Sequence, residues 1–276
     1  MISFYRSQNP QENVVIEAAF EGCPVEKRIT NFDNYEPSEV AVVMGVYKKR
    51  VPISFQRGLV IRQQQSKGLD CLILETGYIN RGAGPDNHYA FGWNGLNGRA
   101  DFRNKGMPAD RAEKLRVKLR SWRETGSYFL LCGQVPWDAS VDFTDHVKWL
   151  HAMSCKLLEG KRRVIFRPHP LAKIPPIDGC DYSSRTIEED LEDAFCSVSF
   201  NSNSGVDSIL AGVPAFSYDV GSMIHPVSAH DFRFDHPLRC DRAQWLYDIA
   251  YAQWLPSELR SGEAWEHIFR KKTTAG

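Results

Sequence analysis

The sequence predicts an α/β protein made of two Rossmann-like halves. Short apolar runs alternate with helical patterns along most of the 276 residues. This order is typical of βα units around a parallel sheet. The length suits two domains of about 150 residues each. Apolar residues make up 42% of the chain and charged residues 25%, as expected for a folded, water-soluble protein.

Apolar runs in the first half predict strands, and helical patterns between them predict helices. We expect strands at residues 2–5, 40–46 and 71–74, and helices at about 12–21 and 53–66. Residues 80–105 are rich in Gly and Asn and carry alternating aromatic side chains, so we expect loops and a hairpin there. A charged helix is expected at 109–123, and a domain boundary at the Thr-Gly-Ser that follows it.

A second series of alternating strands and helices follows that boundary. We expect strands at 128–132, 163–166, 196–200 and 215–218, and helices at 144–158, 187–193 and 205–211. Residues 242–269 are helical in pattern, with an interruption at Pro256. The predicted domains are 1–124, 125–241 and a tail of 242–276 that packs back on the first domain.

Targeting and redox features exclude several classes of protein. The chain has neither a long apolar run nor a signal-peptide pattern, so we expect a cytoplasmic location. Seven cysteines lie singly and mostly within apolar runs, which is typical of buried thiols rather than of disulfides or zinc ligands.

The zero net charge hides a division between the two halves. Residues 1–170 contain 25 basic and 18 acidic residues, whereas residues 171–276 contain 9 and 16. A basic first half favours an anionic partner, although one basic helix would explain much of the excess.

Ligands of open α/β sheets bind beyond the carboxyl ends of the strands, so the loops after the predicted strands are the candidate sites. Arg167 and His169 lie in a Pro-stiffened loop suited to a nucleotide, or His169 is simply a residue of a rigid turn. Small polar residues before the helix at 205–211 suit a phosphate, since helix amino termini attract anions, although such residues also cap helices generally. They are Ser202, Asn203, Ser204 and Gly205, with Asp207 placed to reach a ribose hydroxyl.

Two further loops carry polar side chains in similar positions. Gln134 and Asp138 follow the strand at 128–132, where they suit a ligand or an ordinary capped turn. Glu75 follows the strand at 71–74 and suits a general base if its pKa is raised by burial; alternatively it pairs with Arg81.

Other chemistries lack their motifs. The chain has no P-loop, no GxGxxG after its first strand, no GxSxG, no DxD and no HExxH. The acidic run at 188–190 is typical of a first helical turn rather than a metal site. We therefore expect neither a metal nor another cofactor.

Taken in order, four segments resemble the capsule polysaccharide synthesis family of Kdo transferases. They are ETGYINR at 75–81, GQVPWDASV at 133–141, RPHP at 167–170 and SNSGVDSILAGVP at 202–214. The resemblance covers about residues 71–218. It implies the GT-B glycosyltransferase fold, in which two Rossmann-like domains face a cleft, here with a trimmed first domain.

The resemblance also implies roles for individual residues. By analogy with these transferases and with similar bacterial sialyltransferases, Glu75 is the catalytic base, Arg167 and His169 contact the nucleotide, and the serine turn binds the donor phosphate. One residue departs from the pattern: Thr76 replaces the second acid of the motif. If that second acid is the base, the role moves to Asp86 or Asp101.

These inferences predict a metal-independent transferase that uses a nucleotide sugar. The first-choice acceptor is a 5-hydroxymethylpyrimidine in DNA, since the basic half carries interleaved aromatic residues and similar short enzymes occur in phages. The acceptor-binding residues expected are Arg81, Tyr89, Trp93, Arg99 and Arg103. The basic half also contains residues 48–50, Arg57, Arg62, Lys105 and the predicted basic helix from Lys114 to Arg123. The alternatives are an anionic glycan or glycolipid acceptor, as in capsule synthesis, or a nucleotide-sugar epimerase.

Overall fold

The computed structural model describes residues 1–46, 54–81, 86–141 and 145–270. The chain divides into two compact units: unit 1 consists of Met1–Leu115 and Tyr247–Gly276, and unit 2 is Arg116–Leu246. Unit 1 is thus formed from two separate stretches of chain. The domain limits expected from the sequence, at 124/125 and 241/242, stay a prediction.

The described residues form eleven strands and nine α-helices. The strands are β1 (Ile2–Arg6), β2 (Lys27–Asn31), β3 (Val40–Met44), β4 (Asp70–Thr76), β5 (Tyr89–Trp93), β6 (Tyr128–Cys132), β7 (Arg163–Arg167), β8 (Asp181–Tyr182), β9 (Ala194–Ser199), β10 (Ala215–Ser217) and β11 (Gln253–Trp254). The helices are α1 (Pro10–Gly22), α2 (Phe55–Ser66), α3 (Asp110–Lys114), α4 (His146–Leu158), α5 (Ile187–Leu191), α6 (Ser204–Leu210), α7 (Ala243–Ala250), α8 (Pro256–Arg260) and α9 (Glu263–Ile268).

Unit 1 has a six-stranded sheet in the order β11-β5-β4-β3-β1-β2. Strands β1, β2, β3 and β4 run parallel to one another. β5 is antiparallel to β4, and β11 is antiparallel to β5. Alternate residues of the strands face opposite sides. On one side Phe4 and Leu74 pack with Ile16 of α1 and Trp265 of α9, and on the other side Ile73 packs with Val60 of α2.

Unit 2 has a five-stranded sheet in the order β10-β9-β6-β7-β8, with every pair parallel. β6 is at its centre and is buried throughout. Residues such as Phe129, Leu150 and Phe166 form a core with α4 on one face, while Leu130 and Leu191 pack on the other. A parallel sheet covered on both faces accounts for the continuous apolar runs that predict these strands.

Local sequence signals account for where several helices begin. Asn9 precedes α1, and its side chain accepts a hydrogen bond from Gln11 N at 3.1 Å. Thr186 and Glu189 form a capping box at α5. The acidic run at 188–190 therefore lies in the first turn of α5, as the sequence predicts.

The predicted α/β class and its alternating elements are confirmed, with sheets dominated by parallel strands. Each expected strand is present within about two residues of its predicted ends. The helices expected at 53–66 and 144–158 are present, although their first residues fall outside the described part of the chain. β2, β8 and β11 were not anticipated, since they are short or half-exposed strands at or near sheet edges.

The charged helix predicted at 109–123 is wrong over most of its length. Its helical part ends at Lys114, and Arg116 has a positive φ of 54°. Beyond it, Arg120 N donates to the Leu210 carbonyl at 3.1 Å and Arg123 N to the Gly212 carbonyl at 2.7 Å. These backbone hydrogen bonds to residues at the end of α6 take the place of the bonds that residues 115–123 would make within a helix.

The expectation of buried thiols holds for four of the seven cysteines. Cys23, Cys71, Cys132 and Cys196 are buried, whereas Cys155 on α4 is exposed. Within the described residues, no helix combines the length and apolar character needed to cross a membrane.

Candidate functional site

The loops after β6, β7 and β9 begin side by side at the carboxyl edge of the sheet in unit 2. Cys132, the last residue of β6, is paired with Arg167 on one side and with Ser199 on the other. Gln134, His169 and Ser202 follow these three paired residues, Cys132, Arg167 and Ser199, by two or three positions in the sequence. The parallel topology therefore brings the candidate donor-binding loops to one edge.

A hydrogen-bonded network, which we call the amide clasp, joins these loops through Gln134, Asn201 and Asp219. Gln134 Nε2 donates to Asn201 Oδ1 at 2.7 Å, and Asn201 N donates to Gln134 Oε1 at 2.9 Å. Asn201 Nδ2 donates to Asp219 Oδ2 at 2.7 Å and to the Ser140 carbonyl at 2.9 Å. Gln134 is buried and uses its side chain to hold the loops in place, rather than presenting it toward a ligand.

Asp138 closes the turn that follows the clasp. Its Oδ1 accepts hydrogen bonds from Ser140 N at 3.0 Å and from Ser140 Oγ at 2.9 Å. Its charge also acts on the His169 imidazole, so the two side chains lie in the same part of the edge. Both the capping interpretation and a place near the ligand are therefore compatible with its position.

His169 is half-buried, and its tautomer follows from its neighbours. Burial lowers the pKa of its imidazole, and Arg167 adds to the lowering against an opposing effect of Asp138. Leu171 N donates to His169 Nδ1 at 3.1 Å, so the ring is neutral with its proton on Nε2. Nε2–H is then a hydrogen-bond donor for a ligand at this edge.

Arg167 takes part in a charge network beside the edge. Its Nη1 donates to Asp190 Oδ2 at 2.8 Å and to the Arg185 carbonyl. Asp190 is fully buried and also accepts from Arg185 Nε at 3.0 Å and Ser183 Oγ at 2.7 Å. Most of the Arg167 charge is therefore balanced within the protein, and a phosphate would share this cation with Asp190.

The serine turn lies at the amino end of α6. Ser202 Oγ accepts from Ser204 N at 3.3 Å and from Ser204 Oγ at 2.9 Å, and Asn203 makes no side-chain cap bond to the helix. Both serines are half-buried. Gly205 has a packing role, because a Cβ atom there would lie 2.6 Å from Ile224 Cδ1.

Several groups of this edge meet around the Cys132 thiol. Burial raises the pKa of this thiol to about 11, a hydrogen bond with Ser204 lowers it, and the charges of Arg167 and Asp207 also act on it. Asp207 is half-buried in the first turn of α6 and lines a cavity of about 470 Å³ with Lys118, Arg120 and Arg123. The structure thus gathers the serine turn, Arg167 and Asp207.

In unit 1, Glu75 lies at the carboxyl end of β4 with its side chain half-buried. Its Oε1 accepts a hydrogen bond from Thr76 N at 3.0 Å. A Cβ atom on Gly45 would lie 3.8 Å from Glu75 Oε2 and 2.9 Å from Arg57 Nη1, so the carboxylate and the guanidinium flank this glycine. Glu75 is therefore placed next to a cation at the edge where ligands of such sheets bind.

Arg57 is a buried cation rather than one of the exposed basic residues that the charge pattern suggests. Its Nη2 donates to Ser7 Oγ at 3.0 Å and forms an ion pair with Glu12. Only 7% of its side chain is exposed. Arg57 therefore does not add to an exposed basic surface, although it counts toward the positive charge of the first half. The basic residues at 48–50 lie outside the described part of the chain.

The loop after Glu75 is fixed by Gln253 of β11. Gln253 Oε1 accepts from Tyr78 N at 2.6 Å and from Ile79 N at 2.8 Å, and its Nε2 donates to the Ile79 carbonyl at 2.8 Å. Gly77 allows this close approach, because a Cβ atom there would lie 3.0 Å from Gln253 Oε1 and 2.8 Å from the His88 carbonyl oxygen. The backbone beside Glu75 is thus held rigidly.

The predicted acceptor-binding residues divide between two ends of the sheet. Arg81 donates to the Tyr78 carbonyl at 3.0 Å, and Tyr89 is paired with Thr76, so both lie near the Glu75 end. Trp93 is paired instead with Leu72, which lies three residues, or about 10 Å, before Glu75 along β4. Arg99 and Arg103 follow Trp93 and lie toward that other end.

Trp93 is also buried, which removes its face from solvent. Arg103 lies 4.3 Å above its ring, and Trp93 Nε1 donates to the Ile268 carbonyl at 3.1 Å. Asp101 forms a bridge with Trp93 and shares its distance from Glu75. Because β5 runs antiparallel to β4, Trp93 and Asp101 lie far from Glu75. The loops and hairpin predicted for residues 80–105 do not reveal this placement.

Sequence patterns did not indicate that Asp219 binds Asn201, that Asp190 pairs with Arg167, or that Glu12 pairs with Arg57. Each of these contacts joins distant parts of the sequence, and no local spacing identifies them. Among the described residues, no group of three or more His, Cys, Asp or Glu side chains is placed to hold a metal ion.

Comparison with known proteins shows a similarity of fold. The chain is similar to two structures from Thermosulfurimonas dismutans, the KpsC beta Kdo 2,7 transferase and the KpsC beta Kdo 2,4 transferase. The sequence identities are 15% and 13%, and each match has a TM-score of 0.59 and covers 91% of this chain and 89% of the other. No family model and no curated protein matches the sequence. The resemblance indicated by the four loops is confirmed at the level of the fold.

Proposed function

We propose that this protein is a glycosyltransferase of GT-B type that moves a sugar from a nucleotide-sugar donor to a hydroxyl group of a glycan or glycolipid. The observation that carries the proposal is the fold shared over 91% of the chain with two Kdo transferases. The gathering of three of the four candidate loops at one sheet edge in unit 2 supports it.

Unit 2 is the donor-binding part in this proposal. The Nε2–H of neutral His169 donates a hydrogen bond to the nucleotide, and the hydroxyls of Ser202 and Ser204 contact the phosphate. The amide clasp holds the loops after β6 and β9 in fixed positions relative to each other. Arg167, shared with Asp190, offsets part of the charge that develops on the leaving phosphate.

Unit 1 supplies the base. The acceptor oxygen attacks the anomeric carbon as its proton passes to Glu75, and the bond from that carbon to the donor phosphate breaks, leaving the nucleotide with the electron pair. Glu75 is preferred to Asp101, which lies about 10 Å further along the strands. Arg57 flanks the same glycine as Glu75 and provides a positive charge in its neighbourhood.

A glycan acceptor is preferred to DNA. The argument for DNA depended on exposed cations interleaved with aromatic rings, but Trp93 is buried beneath Arg103. Arg57 is likewise occupied by Glu12.

The test is transfer from a panel of UDP, GDP and CMP sugars, including a Kdo donor, to short glycans and to hydroxymethylcytosine DNA. Product is measured by mass spectrometry, and donor alone is included to detect an epimerase. We expect transfer to a glycan. Transfer only to DNA, turnover of donor alone, or no reaction with any pair would contradict the proposal.

Two variants assign the roles. Glu75→Gln should lower kcat at least 100-fold with little change in donor KM, since a general base contributes rate rather than donor affinity. His169→Ala should raise donor KM about tenfold, the cost of one hydrogen bond to a charged group. Glu17→Gln, whose side chain is about half exposed, and His151→Ala, at an exposed position, are the matched controls. Full activity of Glu75→Gln would reassign the base.

A further inference from the structure

A cavity of about 450 Å³ lies in unit 1, away from the residues of the proposed reaction. Tyr251, Trp254 and His267 form an aromatic wall, in which the ring centroids are 5.0 to 6.0 Å apart. Acidic and basic side chains surround this wall in equal number: Asp110, Glu263 and Glu266, and Arg111, Lys114 and Arg270.

Tyr251 offers the accessible ring of this wall. Trp254 is buried beneath the Arg111 guanidinium, which lies 3.7 Å above its ring. Tyr251 is half-buried, and its hydroxyl donates to Asp110 Oδ1 at 2.9 Å. Lys114, half-exposed, contacts Glu263 at 2.6 Å. A ligand in the cavity would therefore meet the aromatic face of Tyr251, surrounded by charged side chains that pair with one another.

His267 contributes a buried polar ring to the wall. It is buried, its Nε2–H donates to the Phe102 carbonyl at 2.9 Å, and burial lowers the pKa of the ring to about 4. Its Nδ1 is consequently an acceptor, and within the described residues it has no hydrogen-bond partner.

The chemistry of the wall suits a saccharide. A sugar ring presents C–H groups to an aromatic face and hydroxyls that both donate and accept hydrogen bonds, as the surrounding charged side chains require. A polyanion would meet three carboxylates here. A metal ion is not favoured, since the described His, Cys, Asp and Glu residues form no group of three that converges on one point.

The cavity is connected to the loop beside Glu75. Trp254 is paired with Tyr89, which is paired with Thr76, so the wall lies two strand spacings, or about 10 Å, from the end of β4. Arg111 Nη2 donates to the Gln253 carbonyl at 2.6 Å, and Gln253 holds residues 78 and 79. Trp254 packs on the α1 face of the sheet, whereas Glu75 shares the α2 face with Ile73, so an acceptor chain that joins the two positions passes around the carboxyl end of the strands.

We propose that this cavity is a subsite for a sugar residue of the acceptor chain, remote from the hydroxyl that reacts. The proposal rests on the proposed function, because it takes the acceptor to be a glycan. It assigns Tyr251 as the aromatic platform of the subsite.

Direct binding tests the subsite without any transfer reaction. Chitotetraose, which is neutral, and a heparosan tetrasaccharide, which carries uronic acids, are titrated into the full chain and followed by saturation-transfer NMR and calorimetry. We expect at least one to bind in the millimolar range or tighter. Tyr251→Ala should weaken binding at least tenfold, and Tyr251→Phe, which keeps the ring, less than threefold.

Two further variants keep the test decisive. Tyr182→Ala removes an exposed tyrosine of unit 2 and should leave binding unchanged. Glu266→Trp, at an exposed position of α9, should fill the cavity and abolish binding without disturbing the core. Absence of binding by both tetrasaccharides, or equal binding by the wild type and Glu266→Trp, would overturn the subsite.

The two proposals fail in distinguishable ways. Tyr251-dependent binding without transfer to any acceptor would contradict the proposed function and leave the subsite standing. Transfer with the same KM for monosaccharide and tetrasaccharide acceptors, unchanged by Tyr251→Ala, would contradict the subsite and leave the function standing.

Discussion

Arg57 and Glu12 form an ion pair across the carboxyl edge of the sheet in unit 1, joining helices that pack on its opposite faces. The side chains are 7% and 21% exposed, so loss of one partner leaves a largely buried charge. We expect Glu12→Gln to lower the free energy of unfolding by about 3 kcal/mol.

Urea unfolding followed by circular dichroism measures this effect. Glu17→Gln is the control, because its pair with Arg6 is about half exposed and should contribute less than about 1 kcal/mol. Equal stabilities of the two variants would show that the buried pair has no special importance.

The amide clasp predicts a strong effect at Asn201. Asn201→Asp keeps the size of the side chain, removes the donors to Ser140 and Asp219, and places a carboxylate against Asp219. We expect a loss of about 3 kcal/mol in the free energy of unfolding. Asn34→Asp, at an exposed position, should change it by less than about 0.5 kcal/mol. A tolerated Asn201→Asp would contradict the described network.

Two glycines with similar backbone angles predict different costs. Gly212 has a φ of 78°, and a Cβ atom there would lie 2.1 Å from the Ser121 carbonyl oxygen. Gly68 has a φ of 67° with no atom within 4 Å of that position. Gly68→Ala should cost about 1 kcal/mol from backbone strain, whereas Gly212→Ala should cost at least about 3 kcal/mol. Thermal unfolding of both variants measures the difference, and similar melting temperatures would refute the close contact.

Two buried histidines predict a loss of stability in mild acid. Burial lowers the pKa of His146 and of His267 to about 4 in the folded protein, against about 6.5 in the unfolded chain. The unfolded state therefore binds more protons between these values, and the stability present above pH 6.5 decreases as the pH falls toward 4. The loss approaches roughly 3 kcal/mol for each group.

Urea titrations between pH 7 and pH 4.5 measure this dependence. His267→Gln should reduce this dependence without abolishing it, because His146 and other histidines with lowered pKa values remain. His151→Ala, at an exposed position, should leave the slope unchanged. A stability that stays constant over this interval would contradict the neutral burial of both rings.

Much of unit 2 follows from local sequence signals. The apolar run at 128–132 corresponds to a strand buried on both faces, and the serine turn begins a helix where the sequence places one. The order of the loops after these strands also predicts which residues meet, because parallel strands end at a common edge.

The remaining features depend on contacts between distant residues. The basic pattern at 115–123 favours a helix, but bonds to the end of α6 hold that segment in another conformation. Gln134 has the polarity of a ligand-binding residue, and only the position of Asn201 shows that its amide is occupied. Trp93 lies far from Glu75 because β5 reverses direction, which composition alone does not reveal.

The discontinuous build of unit 1 has a consequence for biosynthesis. Unit 2 is one uninterrupted stretch and has all its strands once Ser217 has left the ribosome, whereas the core of unit 1 requires Trp254 and Trp265. During translation the later-encoded unit can thus mature first. Until the last helices emerge, α1 and α2 can pack on the amino-terminal strands, but the part of the core that Trp254 and Trp265 complete stays exposed.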